Sequence, residues 1–83
     1  MKNYLVMGEK WVRAIVFADE QCADRYIEKN CTNISYQRYS AEEFNAAYAD
    51  AELRVMEYGV NDYMARALIV ICRDAKGNRL SDC

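Results

Sequence analysis

The hydrophobic and polar positions open on two short β-rich runs, residues 3–7 (NYLVM) and 11–18 (WVRAIVFA), separated by Gly8, Glu9 and Lys10. This pattern predicts a β-hairpin. In the second run Trp11, Arg13, Ile15 and Phe17 fall on one face and Val12, Ala14 and Val16 on the other. Both faces are largely apolar, which predicts a central strand. Asp19 stands in the N-cap position of a helix over residues 20–30. Cys22, Ala23, Tyr26 and Ile27 recur there at helical spacing, and Asn30 suits the C-cap. Residues 32–39 alternate weakly, with Ile34, Tyr36 and Arg38 opposite Asn33, Ser35, Gln37 and Tyr39. An edge strand is the expectation.

The most regular stretch is SAEEFNAAYADAELRVMEYG, residues 40–59. Ser40 and Glu43 have capping-box spacing, and Tyr39 is placed to staple onto Phe44. At about 100° per residue, Phe44, Ala47, Tyr48, Ala51, Val55 and Tyr58 form one stripe. Gly59 supplies a stop. The prediction is one long helix. On it, Ala46, Ala49, Leu53 and Met56 make a second apolar group away from the core stripe. Glu43, Asp50 and Glu57 recur every seven residues as an acidic edge, partly neutralised by Arg54 four residues after Asp50. Residues 60–63 connect this helix to 65–73 (ARALIVICR), the strongest strand. DAKGN then reads as a turn, and Arg79–Leu80 as the start of a short closing strand.

The element order β-β-α-β-α-β predicts an α+β, two-layer sandwich. Its sheet is mixed, of four to five strands, with two helices on one face. The unit from second strand through first helix to third strand suggests a right-handed parallel crossover. At 83 residues, with no Pro and three Gly, the chain is one domain, 1–83, without a flexible linker.

Composition narrows the function classes. The chain is 53% apolar and 29% charged, a balance that suits a folded protein. There is no histidine, which removes the commonest general base and metal ligand and every Ser-His or Cys-His nucleophile pair. No glycine-rich phosphate loop is present. Glu42 and Glu43 are adjacent and point about 100° apart on a helix, so they do not share a site. Cys22, Cys31, Cys72 and Cys83 lack close pairs and suit reduced thiols better than a zinc site or a disulfide framework. The Asn30 and Asn33 sequons read as a helix end and a strand start. The expectation is therefore no enzyme, no cofactor and no metal. No apolar run approaches the roughly 18 residues of a membrane span, and the short N-terminal run does not read as a signal peptide. A cytoplasmic protein without a membrane partner is expected.

What remains is a surface. Tyr36, Tyr39 and Tyr63 are less committed to core stripes than the other tyrosines, and Tyr is favoured at interfaces. With Glu43, Asp50 and Glu57, and with Leu53 and Met56, they form the candidate partner-binding set. In size, mild acidity (net charge −2) and lack of a catalytic set, the chain resembles small inhibitor proteins of phages and mobile elements, including anti-CRISPR proteins. That resemblance implies a non-catalytic module that inhibits or modulates a larger bacterial machine, and the acidic edge of Glu43, Asp50 and Glu57 points to a protein partner with a basic surface. One alternative is a self-associating structural or accessory subunit, a homodimer through Leu53 and Met56. Another is nucleic-acid binding through Arg13, Arg38, Arg66 and Arg73 with Tyr36 stacking on bases, which the acidic balance disfavours.

Overall fold

In a computed structural model, which describes residues 2–57 and 63–80, the chain forms one sheet flanked by two helices. The elements are β1 (Asn3–Met7), β2 (Arg13–Phe17), α1 (Glu20–Asn30), β3 (Tyr36–Ser40), α2 (Ala41–Ala47), β4 (Glu52–Glu57) and β5 (Ala65–Arg73). Across the sheet the order is β3-β1-β2-β5-β4. The α+β class, the single five-stranded sheet and the two helices agree with the sequence prediction.

Two finer expectations are corrected. The sheet is not mixed, because every neighbouring pair is antiparallel. β2 and β3 do run the same way, but β1 lies between them and opposes both. The two helices also lie on opposite faces. The reason is that β1, β2 and β5 are apolar on both sides. Leu5, Met7, Ile15 and Phe17 pack under α1 with Cys22, Ala23, Tyr26 and Ile27. Their neighbours Val6, Ala14, Val16, Ile69 and Ile71 form a second core with Phe44 and Tyr48 of the α2 segment. A single helix layer would have left one of these sets in water.

Local chemistry sets the helix starts. Asp19 accepts from the Cys22 N–H at 2.8 Å and caps α1. Ser40 accepts from the Glu43 N–H at 3.1 Å, and Glu43 accepts from the Ser40 N–H at 3.0 Å, closing the expected capping box. These bonds hold both carboxyls below their ordinary pKa. Tyr39 meets Phe44 edge-on, and Tyr4 stacks on Phe44 at 4.4 Å between ring centres. The C-cap of α1 is Cys31 rather than Asn30, whose side chain instead donates to the Tyr26 carbonyl. Gly8 turns the first hairpin at φ 97°, where an added Cβ would lie 2.3 Å from the Trp11 carbonyl oxygen. No side chain fits there without moving the backbone.

The long helix over 40–59 is the main correction. α2 ends at Ala47, Tyr48 is its C-cap, and residues 52–57 are a strand paired along β5. Ala, Leu, Glu, Arg and Met favour a helix locally, but β5 is a nine-residue strand whose second backbone edge needs a partner. The ladder overrides the propensity. Consequently the acidic edge of Glu43, Asp50 and Glu57 does not exist as one helical face. Val55, assigned to the core stripe, is 68% exposed. Tyr58, Gly59 and residues 60–62, read as the end of that helix and a connection, lie outside the described residues, as does Cys83. The 74–78 turn forms as predicted, with Asp74 accepting from the Lys76 and Asn78 N–H groups. The closing strand is reduced to one bridge, Arg73 to Arg79.

Phe44 is 2% exposed and anchors α2. Phe44→Ala is expected to remove about 3–5 kcal/mol, and Ser40→Ala about 1 kcal/mol, in urea unfolding. Equal midpoints for the two variants would mean that α2 is not seated on the core.

The caps also set a pH dependence. The folded-state pKa values of Asp19 and Glu43 lie below the unfolded ones, so their stabilisation is present above the ordinary carboxylate range. It is lost as pH falls through the folded values. An Asp19→Asn/Glu43→Gln double variant should be less stable than wild type at neutral pH and lose less on acidification, read from thermal melts between pH 7 and pH 2.

Candidate functional site

β4 ends the sheet, and it is the least covered element. α1 packs on β1 and β2, and α2 packs on β1 and β3, so both helices sit toward the other end of the sheet. The sequence of β4 is ELRVME, and residues 52–56 are all exposed. Leu53, Val55 and Met56 are 37%, 68% and 44% exposed. Leu53 and Val55 pair with Ile71 and Ile69, so they share the α2 face. Met56 pairs with Leu68 on the α1 face. The sequence reading put Leu53 and Met56 in one patch because a three-residue step is one helical face. On a strand it is two opposite faces.

A strand at the end of a sheet carries a row of backbone groups without ladder partners, and proteins usually blunt such edges with Pro, bulges or charge. β4 has no Pro, and its one register irregularity lies at its start, between Glu52 and Leu53. Glu52 accepts from Arg73 on β5 at 3.1 Å. Arg54 has no ion-pair partner among the described residues. The edge therefore offers backbone hydrogen-bonding groups, exposed apolar side chains on both faces and one uncompensated cation.

The remaining candidates are dispersed. Glu43 is occupied in the capping box, Asp50 is exposed in the turn after α2, and Glu57 is the last residue of β4. Tyr36 is exposed on β3, the opposite edge of the sheet, beside Met7. Tyr39 donates its hydroxyl to Gln37 and lies against Phe44 and Tyr48, so it belongs to the second core. Tyr63 packs edge-on against Tyr26 at 5.3 Å and receives Asn30 Nδ2 at its hydroxyl. The structure thus joins Leu53 and Met56 on one strand, and places Tyr36 at the opposite edge, Tyr39 in the second core and Tyr63 against Tyr26 of α1. Val55 is the residue the sequence reading missed as exposed. The signal was available in the two-residue alternation of Leu53 and Val55.

No protein family matches this chain, and no curated protein or solved structure is significantly similar to it. The site therefore rests on its own geometry. No helix among the described residues is long and apolar enough to cross a membrane. No group of three metal-ligating side chains converges among them. The sheet arginines are spread and mostly engaged. Arg13 lies 5.0 Å from the Trp11 ring centre, Arg38 pairs with Asp24 and donates to Asn3, and Arg73 pairs with Glu52.

The cysteines divide. Cys22 and Cys31 are buried free thiols, and burial raises the Cys31 pKa. Cys72 is disulfide-bonded, which corrects its reading as a reduced thiol. In the native protein Cys22 and Cys31 should resist alkylation. In denaturant without reductant both should take the label while Cys72 stays unlabelled, as read by peptide mass spectrometry. Labelled Cys72 would remove the disulfide.

Proposed function

We propose that this protein is a non-catalytic protein-binding module that engages its partner through the open edge of β4. The observation that carries the reading is the combination of a strand edge with no ladder partner among the described residues and exposed Leu53, Val55 and Met56. Such an edge accepts a strand from another protein. Backbone hydrogen bonds supply affinity, and alternate side chains supply selectivity. In the lineage of functions that size and charge suggest, this makes it an inhibitor or modulator of a larger bacterial machine, of the phage or mobile-element, anti-CRISPR-like kind. A basic partner surface is no longer supported by an acidic helix face. The free Arg54 favours an acidic or mixed-charge strand instead. A cytoplasmic location is supported by the two free thiols and opposed by the disulfide at Cys72.

Tagged wild type, Leu53→Glu and Val55→Glu should be compared in capture from bacterial lysate at low and high salt, read by mass spectrometry. Wild type should retain a specific protein, and each variant should weaken capture about tenfold or more while keeping the wild-type circular dichroism. Tyr36→Ala, at the opposite edge, should leave capture unchanged. Equal capture by wild type and both β4 variants would overturn the reading.

A further inference from the structure

We infer that a second copy of this chain occupies the β4 edge, its own β4 running antiparallel about a two-fold axis at Leu53. Two five-stranded sheets then continue into one. The inference rests on the reading of β4 as the binding edge and names an occupant for it.

The register follows from symmetry and charge. A two-fold axis perpendicular to the sheet reverses strand direction and preserves faces. Residues opposite one another then come from the same side of the strand, and one residue faces itself. Within β4 the informative centres are Leu53, Arg54, Val55 and Met56. Centring on Arg54 sets two guanidinium groups against each other. Centring on Val55 puts Arg54 opposite Met56 and Leu53 opposite Glu57, and centring on Met56 puts Val55 opposite Glu57. Neither pairs opposite charges within β4. Centring on Leu53 places Glu52 opposite Arg54 of the second copy, twice by symmetry. Leu53 then faces Leu53, and Val55 faces Ala51 on the same side.

Three independent features of the edge fit this register. Arg54 has no ion-pair partner among the described residues, and the register gives it one. Glu52 uses Oε2 for Arg73 at 3.1 Å, which leaves Oε1 to accept from a second guanidinium. Leu53 and Val55, 37% and 68% exposed on one face, would form a continuous apolar row with their copies. The arrangement closes after two copies. Pairing β4 with β3 of another copy would be head-to-tail and would extend without closure. Because one set of backbone groups serves both occupants, a second copy and a foreign strand exclude each other at this edge.

The test is the oligomeric state by sedimentation equilibrium across a concentration series. Wild type should reach a species of twice 9.6 kDa. Arg54→Glu sets Glu against Glu, and Glu52→Arg sets Arg against Arg. Each should raise the dimer dissociation constant on the order of tenfold or more. Both side chains are exposed, so both variants should keep the wild-type fold by circular dichroism. Mixing the two variants in equal amounts should restore a dimer, because each charged pair across the two-fold axis then joins unlike charges. A wild type that stays monomeric at the highest attainable concentration overturns the inference, as do reversals that leave dimerisation unchanged or a mixture that does not recover. If wild type is monomeric while Leu53→Glu still abolishes capture of a foreign protein, the inference fails and the reading of β4 as a binding edge stands. If the dimer behaves as stated while capture ignores β4, the foreign-partner reading fails and the inference stands.

Discussion

The constraint on which this structure depends is that β1, β2 and β5 are apolar on both sides while the chain is short. Leu5 and Val6, Ile15 and Val16, and Leu68 and Ile69 are adjacent residues that point in opposite directions, and each set must leave water. A sheet built of such strands needs cover above and below. This chain divides its cover between an eleven-residue helix on one face and a seven-residue helix on the other. β1 is the strand both of them pack against, α1 extending to β2 and α2 to β3. Cover therefore thins toward β5 and ends before β4. The exposure of Leu53, Val55 and Met56 follows from how little helix the sequence contains.

The same constraint explains what could be read in advance. β1, β2, α1 and β5 carry their own signals: alternation with apolar residues on both faces, an Asp cap, a helical stripe. Each was legible because local pattern and tertiary demand agree. The Ser40–Glu43 capping box was legible for the same reason, and it does start a helix. What failed was the continuation. From Tyr48 onward the sequence keeps helix-forming residues, and a 3.6-residue period can be drawn through Ala51, Val55 and Tyr58. The need that decides against it lies elsewhere in the chain, in the unfilled edge of β5. Local propensity is a weak prior against a full ladder of backbone hydrogen bonds. The opposite-face placement of the helices was legible in principle, since a β2 with two apolar sides already demands two layers. Of the candidate surface, Leu53 and Met56 were identified as exposed apolar positions on a mistaken geometry. The acidic triad was an artefact of that geometry.

The two edges of the sheet differ in a way that bears on function. β3 is tied down on both sides. Arg38 reaches from it to Asp24, to the Glu20 carbonyl and to Asn3, which fastens it to α1 and to β1. On its other side Tyr39 enters the cluster of Tyr4, Phe44 and Tyr48 under α2. Its Arg38 and Tyr39 side chains are spent on the fold. β4 is held by its ladder to β5 and by the exposed Glu52–Arg73 pair, and a surface ion pair adds little. An edge so lightly committed could be a defect of a small fold, but then the usual remedy is inexpensive: a Pro, a Lys at each outward position, or a shorter strand. β4 has instead six residues, a valine that is its most exposed apolar residue, and a glutamate and an arginine two residues apart. Side chains two apart on a strand share a face but lie farther apart than directly opposed cross-strand neighbours, and Glu52 pairs with Arg73 rather than with Arg54. With Glu52 already on Arg73 of β5, an antiparallel strand at the open edge would bring Arg54 a carboxylate of its own. The arrangement is better explained as half of a pairing than as protection from one.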